Sequence, residues 1–250
     1  MNIPILYEDE DIVIVDKPAG ITVNRAETTK DEITIQDWME DKLGLPHTKI
    51  EVPKESYSKE EVFAQRGGLV HRLDKETSGV MILAKHPDAL MELLRQFKER
   101  EVKKVYQALS HGKIKPEEGE IDVPVGRLPW NRKQFGIIPG GRASKTTYKV
   151  LKYYQNTKDK ELVSLVELYP QSGRTHQIRV HLKYINHPIF ADFLYAGRKT
   201  SRKDRLLLPR VFLHAAHITF THPTAGKTVS FVSPLPVELQ AVLDRFLPVA

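Results

Sequence analysis

Apolar residues in this chain follow two rhythms. Some form short unbroken runs, Ile12-Val13-Ile14-Val15 and Val80-Met81-Ile82-Leu83-Ala84. Such runs are too short for helices and predict buried strands. The first ends at Asp16-Lys17-Pro18-Ala19-Gly20, which reads as a turn. Elsewhere the period is helical. Leu90, Leu93, Leu94 and Phe97 recur at i, i+3, i+4 and i+7 and predict a helix from about Asp88 to Arg100. Ile35 to Leu43 reads as a short helix with Thr34 as its cap. Strands are expected at Val102 to Ser110, Thr146 to Tyr154, Leu162 to Leu168, Val211 to Thr221 and Val229 to Val232. Thr175 to Ile185 fits either period. Thr175 as cap and Asn186-His187-Pro188 as stop favour a helix. Pro236 to Phe246 reads as a closing helix with proline in its first turn. Residues 44–66 are polar, hold two prolines and have no clear period, so a long surface loop is expected.

Many strands and few helices, without strict alternation, predict the α+β class: a mixed, mainly antiparallel central sheet with flanking helices, in two lobes. No linker or repeat divides the chain, so residues 1–250 read as a single domain. A chain of this length can bury roughly 70% of its unfolded surface and needs no disulfide or structural metal. There is no cysteine, which excludes thiol nucleophiles, iron–sulfur clusters and cysteine zinc sites. The first ten residues already hold acids and do not read as a secretory signal, and no apolar stretch is long enough for a bilayer. Cytoplasmic residence is the expectation.

Charge adds a direction. Lys and Arg number 38 against 32 Asp and Glu, a net +6. The excess is local. One basic stretch runs from Arg127 to Lys145 and holds Trp130 and Phe135; the other is Arg198 to Arg205, followed by Arg210. Both read as loops between apolar segments. Basic side chains beside aromatic ones suit nucleic acid, where charge tracks phosphates and rings stack on bases, and they equally suit solvated loops.

No phosphate-binding glycine loop, nucleophile elbow or patterned histidine metal site is present. Two polar blocks carry the candidate chemistry. His71-Arg72-Leu73-Asp74-Lys75-Glu76-Thr77-Ser78-Gly79 feeds the buried run at Val80. Such a loop can hold charged side chains rigidly, and on composition it also suits a solvated turn. Gln171-Ser172-Gly173-Arg174-Thr175-His176-Gln177-Ile178-Arg179-Val180-His181 places two arginines and two histidines around a helix start, which suits an anion or an ordinary polar helix face.

Together these blocks resemble the RluA-type pseudouridine synthases. The first is similar to the family's His-Arg-Leu-Asp-x-x-Thr-Ser-Gly signature, followed by a strand and Ala84-Lys85; the second is similar to its Gly-Arg-Thr-His-Gln-Ile-Arg-x-His motif. Lys17-Pro18-Ala19-Gly20, Lys104-Val105-Tyr106-Gln107-Ala108-Leu109 and His214-Ala215 resemble further family features in family order, from about residue 6 to 238. Residues 45–66 follow no family pattern, and the chain is expected to be the catalytic domain without the small N-terminal RNA-binding module of some members.

The resemblance implies a two-lobed catalytic fold around a cleft, and isomerisation of a uridine to pseudouridine in a structured rRNA or tRNA stem–loop. It implies no cofactor and no metal, and a monomer that needs no protein partner. Asp74 would be the catalytic carboxylate, either attacking the ribose carbon or removing its 2′ proton. Arg179 would be its counter-charge, with Arg174 second. Tyr106 would pack on the uracil and take part in proton transfer at carbon 5. Arg72 would fill the space of the flipped base or contact a phosphate. Arg174, His71, Thr77 and Lys17 complete the expected substrate-binding set. Two other readings remain open at this stage, an RNA-binding scaffold without turnover and a hydrolytic nucleosidase using Asp74. If the second basic stretch grips RNA, replacing Arg202 and Lys203 by Glu weakens RNA binding and flattens the salt dependence by roughly 0.7–0.9 per lost phosphate contact. Unchanged affinity and slope in a salt titration would make it a solvated segment.

Overall fold

The computed structural model describes residues 1–26, 32–47, 57–157 and 160–249. In chain order these form strands β1 (Ile5–Glu8) and β2 (Ile12–Lys17), helices α1 (Ile35–Leu43) and α2 (Lys59–Arg66), strand β3 (Ser78–Ala84) and helix α3 (Pro87–Glu99). Six strands follow: β4 (Lys103–His111), β5 (Glu118–Asp122), β6 (Val125–Leu128), β7 (Asn131–Ile137), β8 (Lys145–Asn156) and β9 (Leu162–Pro170). The chain continues through α4 (Gln177–Tyr184), α5 (Arg198–Asp204), β10 (Leu213–Thr221), β11 (Thr228–Val232), α6 (Val237–Leu243) and β12 (Phe246–Val249). This is the mixed α+β class with a large, mainly antiparallel sheet. The residues group into two compact units, Met1–Lys103 with His217–Ser233, and Lys104–Ala216 with Pro234–Ala250.

In the first unit β2 and β3 pair antiparallel, from Ile12 opposite Ala84 to Lys17 opposite Gly79. β1 lies against β2, and β10 pairs with β11. All of β3 and all of Ile12 to Val15 are buried. Successive strand side chains point to opposite faces, so both faces of this pair are covered, which accounts for the unbroken apolar runs. Helix α3 packs on β3 and α2 packs on α3. Buried Leu90 and Leu93 form the stripe that the spacing predicts. Thr34 caps α1 through a reciprocal bond with Asp37.

The expectation of a loop over 44–66 is corrected at its end, where 59–66 is helix α2; residues 48–56 lie outside the described residues. Ser58 accepts from the Glu61 N–H, Glu61 accepts from the Ser58 N–H at 2.7 Å, and Gly67 ends the helix at φ 54°. Only Phe63 of α2 is buried, so no apolar stripe marks it.

In the second unit β4, β9, β8 and β12 lie in that order, antiparallel, and β5 also pairs with β8. Along β8 the buried residues are Thr146, Tyr148, Val150 and then Tyr153. The change of phase is a bulge: Val150 faces Val166, Lys152 faces Leu165, and Leu151 between them is exposed. Helices α4 and α6 supply Ile178, Leu182, Leu239 and Val242 to the core, with Phe190 and Phe212.

Both basic stretches are ordered elements, not loops. The first holds the separate hairpin β6–β7, and the second holds α5. Helix α5 has no apolar stripe. It is anchored by buried Asp204, which accepts from the Ala191 N–H at 3.0 Å and bonds His111 at 2.9 Å. The closing helix is shorter than expected, since Phe246 already belongs to β12. Thr175 does not cap α4; His176 occupies the cap position at φ 57° without a side-chain cap bond.

Gly68 tests the packing of the first unit. Its φ is +75°, and an added Cβ would lie 2.4 Å from the Ala84 carbonyl oxygen, whereas a Cβ on Gly173 would meet nothing within 4 Å. Gly68→Ala is expected to lose at least about 1–3 kcal/mol from backbone strain alone and to lower the thermal midpoint by several degrees. Gly173→Ala serves as the neutral comparison. Equal melting of the two variants would contradict the register at Gly68.

Candidate active site

In the first unit the polar block becomes a tight turn at the entrance to β3. The Thr77 N–H donates to the Asp74 carbonyl at 3.0 Å, which closes the turn. Its outer side is pinned by the segment after β2. The Lys75 carbonyl accepts from the Gly20 N–H at 2.7 Å and from Lys17 Nζ at 3.2 Å. Lys17 is completely buried, and its ammonium also donates to the carbonyls of Pro18 at 2.7 Å and Ile21 at 2.9 Å. A buried ammonium is tolerated when its donors are met in this way. Lys17 therefore ties two segments together beneath Asp74.

The approach to the turn is equally constrained. His71 Nε2 accepts from the Ile82 N–H at 3.0 Å, and its ring stacks on Phe97 with centroids 4.8 Å apart. Arg66 donates to the carbonyls of Leu69 and Val70 at 2.9 and 3.3 Å, and its burial lowers its pKa. Leu73 is buried, while Arg72 is exposed and Asp74 is half-buried. The backbone is thus held by what lies inward, and alternate side chains are left outward. The buried Thr77 hydroxyl has no hydrogen-bond partner among the described residues.

In the second unit each polar residue of the second block has an assigned face of α4. Gln177 and His181, four apart, share one face and both bond Thr146 Oγ1 at 3.0 Å. Burial lowers the His181 pKa, which favours the neutral ring. Gln177 Oε1 also accepts from Ser172 Oγ at 2.7 Å and from the Arg174 N–H at 3.1 Å, which sets the loop before the helix. Arg174 reaches the Ala143 carbonyl at 3.3 Å.

His176 and Arg179, three apart, meet the segment after α4. Arg179 makes a two-pronged bond to Asp192, Nε to Oδ2 at 2.8 Å and Nη2 to Oδ1 at 3.0 Å. Asp192 Oδ1 also accepts the N–H groups of Leu194 and Tyr195 at 3.0 and 3.2 Å. The guanidinium lies 5.0 Å from the centre of the Tyr195 ring. The Tyr195 hydroxyl accepts from the Phe135 N–H at 3.0 Å and is hydrogen-bonded to His176 Nδ1 at 2.8 Å. Tyr195 thereby joins the β6–β7 hairpin to α4.

Tyr106 sits in β4 opposite Leu168, packed against the core of this unit. Lys104 is on the same strand face, with Nζ 3.5 Å from the Ser172 carbonyl, and burial pushes its pKa down to about 8. Asp74, Arg72, His71, Thr77 and Lys17 therefore belong to the first unit, and Tyr106, Arg174 and Arg179 to the second.

Asp192 and Gln177 were not among the predicted site residues. Asp192 is the single charge within Ile189-Phe190-Ala191-Asp192-Phe193-Leu194-Tyr195-Ala196. An acid in such a run must find a partner, and that signal was available. Two side-chain groups among the described residues have the composition of a metal site: Asp37, Glu40 and His47, whose buried carboxylates Arg25 already bonds, and Asp9, Asp11 and His222. His222 Nδ1 accepts the N–H groups of Thr224 and Ala225 at 3.4 and 3.1 Å, which leaves Nε2 protonated and donating to Asp9 at 2.8 Å. Its ring offers no lone pair to a cation.

The model of the RNA pseudouridylate synthase family matches residues 11–184, including both polar blocks. The chain belongs to this family. Among curated pseudouridine synthases, an uncharacterized Chloroflexus aurantiacus protein is 42% identical over 180 residues, 72% of this chain and 54% of that protein. The Neisseria meningitidis serogroup B protein named ribosomal large subunit pseudouridine synthase D is 38% identical over 98% of this chain and 61% of its own length. The chain thus spans a little over half of these two relatives. It covers 72% of an uncharacterized Aquifex aeolicus pseudouridine synthase at 38% identity. The solved human RNA pseudouridylate synthase domain containing 1 superposes with a TM-score of 0.71 at 27% identity, over 99% of this chain and 89% of that one.

The Arg179–Asp192 pair sets a stability expectation. Asp192→Ala leaves a buried guanidinium without its fork and is expected to cost about 3–5 kcal/mol. Urea unfolding measures it, and a midpoint equal to wild type would contradict the buried pairing.

Proposed function

We propose that this protein is an RNA pseudouridine synthase that isomerises a uridine within structured RNA, with Asp74 as its catalytic carboxylate. The observation that carries the reading is the pinned turn in a chain of this family. Lys17, Gly20 and Thr77 hold the backbone around Asp74, so a half-buried acid is presented at a fixed place. Preorganisation of this kind is what a reacting carboxylate requires. The two units together make one catalytic domain in this reading.

In the reaction the bond from uracil nitrogen 1 to the ribose carbon breaks, the base rotates, and a bond from carbon 5 to that ribose carbon forms. Carbon 5 loses a proton and nitrogen 1 gains one, so atoms and electrons balance without an oxidant. Asp74 either attacks the ribose carbon or removes the 2′ proton. Arg179 is its counter-charge, and Asp192 fixes the guanidinium. Tyr106 packs on the uracil and assists proton transfer at carbon 5. Arg72, exposed two residues before Asp74, occupies the space of the flipped base or meets a phosphate. The target must leave its stack, which costs a few kcal/mol. Thr77 offers a hydroxyl to the substrate, and Arg174 binds the RNA backbone. His71 and Lys17 act through the backbone of the turn and not by touching RNA.

Ribosomal large-subunit RNA is the first substrate to test, because the N. meningitidis relative carries that name; tRNA is the second. A monomer working in the cytoplasm without a protein partner completes the proposal.

The test is tritium release from RNA labelled at uridine carbon 5, with free uracil measured in parallel. Wild type is expected to release tritium without uracil. Asp74→Asn keeps shape and loses charge, so release falls to background while RNA binding persists. Arg179→Ala loses most activity, and Arg179→Lys regains only part, since an ammonium cannot hold the Asp192 fork. Undiminished release by Asp74→Asn overturns its role, and free uracil as the main product moves the protein to hydrolysis.

A further inference from the structure

A cavity of about 370 Å³ opens within the second unit, where the β6–β7 hairpin, the segment after it and the loop before α4 converge. Its size is at the lower end of small-molecule sites, about 300–1,000 Å³. Three arginines line it, Arg127, Arg142 and Arg174, one from each segment. Among the described residues none of the three has a carboxylate within ion-pairing distance. Arg127 donates to the Arg132 carbonyl at 2.5 Å and lies over the Phe135 ring at 4.8 Å. The Arg174 guanidinium donates to the Ala143 carbonyl at 3.3 Å. The backbone of Arg142 is clamped to Val125 by bonds of 2.9 and 3.0 Å in both directions, which fixes where its side chain starts.

Arg127 and Arg142 are exposed and Arg174 is half-buried, so the three like charges stand at the mouth of one concavity, where an anion would offset their mutual repulsion. The walls between them are opened by glycine. A Cβ on Gly140 or Gly173 would meet nothing within 4 Å, so the backbone leaves room for a ligand to come close. Guanidinium groups suit the planar, two-pronged recognition of phosphate oxygens. The apolar side of the wall, Phe135, gives a surface for the rest of a nucleotide.

We propose that this pocket is a nucleotide-phosphate subsite, which takes one phosphate of the substrate RNA strand away from the reacting uridine. The proposal rests on the RNA-substrate reading above and adds a defined anchor to it. The same contact explains why the hairpin is tied to α4 through Tyr195. A phosphate gripped between hairpin and helix start would be held at a set distance from Arg179 within this unit.

The test uses the intact protein and three probes in calorimetry at low salt: uridine 5′-monophosphate, inorganic phosphate and uridine. Both phosphate-bearing probes are expected to bind saturably and uridine not. Arg142→Gln weakens uridine 5′-monophosphate binding about 10-fold, and Lys98→Gln, at an exposed position of α3, leaves it unchanged. With a stem–loop RNA, Arg142→Gln and Arg174→Gln each flatten the salt slope of log affinity by about 0.7. Their combined loss is smaller than the sum of the single losses, because they share one phosphate. Uridine binding as well as its monophosphate overturns the proposal. So does a Lys98→Gln loss equal to that of Arg142→Gln, which would mean a diffuse field. If the probes behave as expected but wild type releases no tritium from any RNA, the subsite stands and the isomerase reading falls. Tritium release with no phosphate binding removes the subsite alone.

Discussion

An ammonium taken wholly out of water is costly unless each of its N–H donors is met, and at Lys17 carbonyls of Pro18, Ile21 and Lys75 meet them. Two of these acceptors lie just after β2 and the third lies in the turn that carries Asp74. The buried charge thus binds one end of a two-sided strand pair to the loop with the chemistry. β2 and β3 bring the two segments to the same end through the register of Lys17 opposite Gly79. The position of Asp74 follows from backbone bonds on either side of it.

The second unit uses the same economy with opposite sign. Asp192 is completely buried and accepts four donors, two from Arg179 and two from backbone. The helix α4 distributes its polar residues by spacing. Gln177 and His181 face β8, and His176 and Arg179 face the Asp192–Tyr195 segment. A motif that reads as a cluster of basic groups is therefore a set of separate anchors, of which Arg179 is the one held by the buried Asp192 carboxylate.

Unbroken apolar runs made β2 and β3 legible, because a strand covered on both faces needs no polar alternation. Thr34 and the Leu90 to Phe97 stripe made α1 and α3 legible for reasons equally local. Helices α2 and α5 escaped, since one buries only Phe63 and the other is held by Asp204 through a distant His111. The capping pair Ser58 and Glu61 was the readable trace of α2. The β6–β7 hairpin escaped because its ordering comes from Tyr195, some sixty residues later. The polar blocks with Asp74 and Arg179, and the Lys104–Leu109 stretch with Tyr106, were legible through resemblance. Of the braces in the second unit, Asp192 left a readable trace as the single charge in an apolar run, while Gln177 depends on tertiary partners that no local pattern displays.

The central claim, isomerisation driven by the Asp74 carboxylate, is met most directly by mapping pseudouridines in ribosomal and transfer RNA. Cells lacking the gene are compared with the same cells given back either the wild-type chain or Asp74→Asn. The account predicts a defined uridine that loses its modification on deletion and regains it only with wild type. Unchanged pseudouridines after deletion, or restoration by Asp74→Asn, would contradict it.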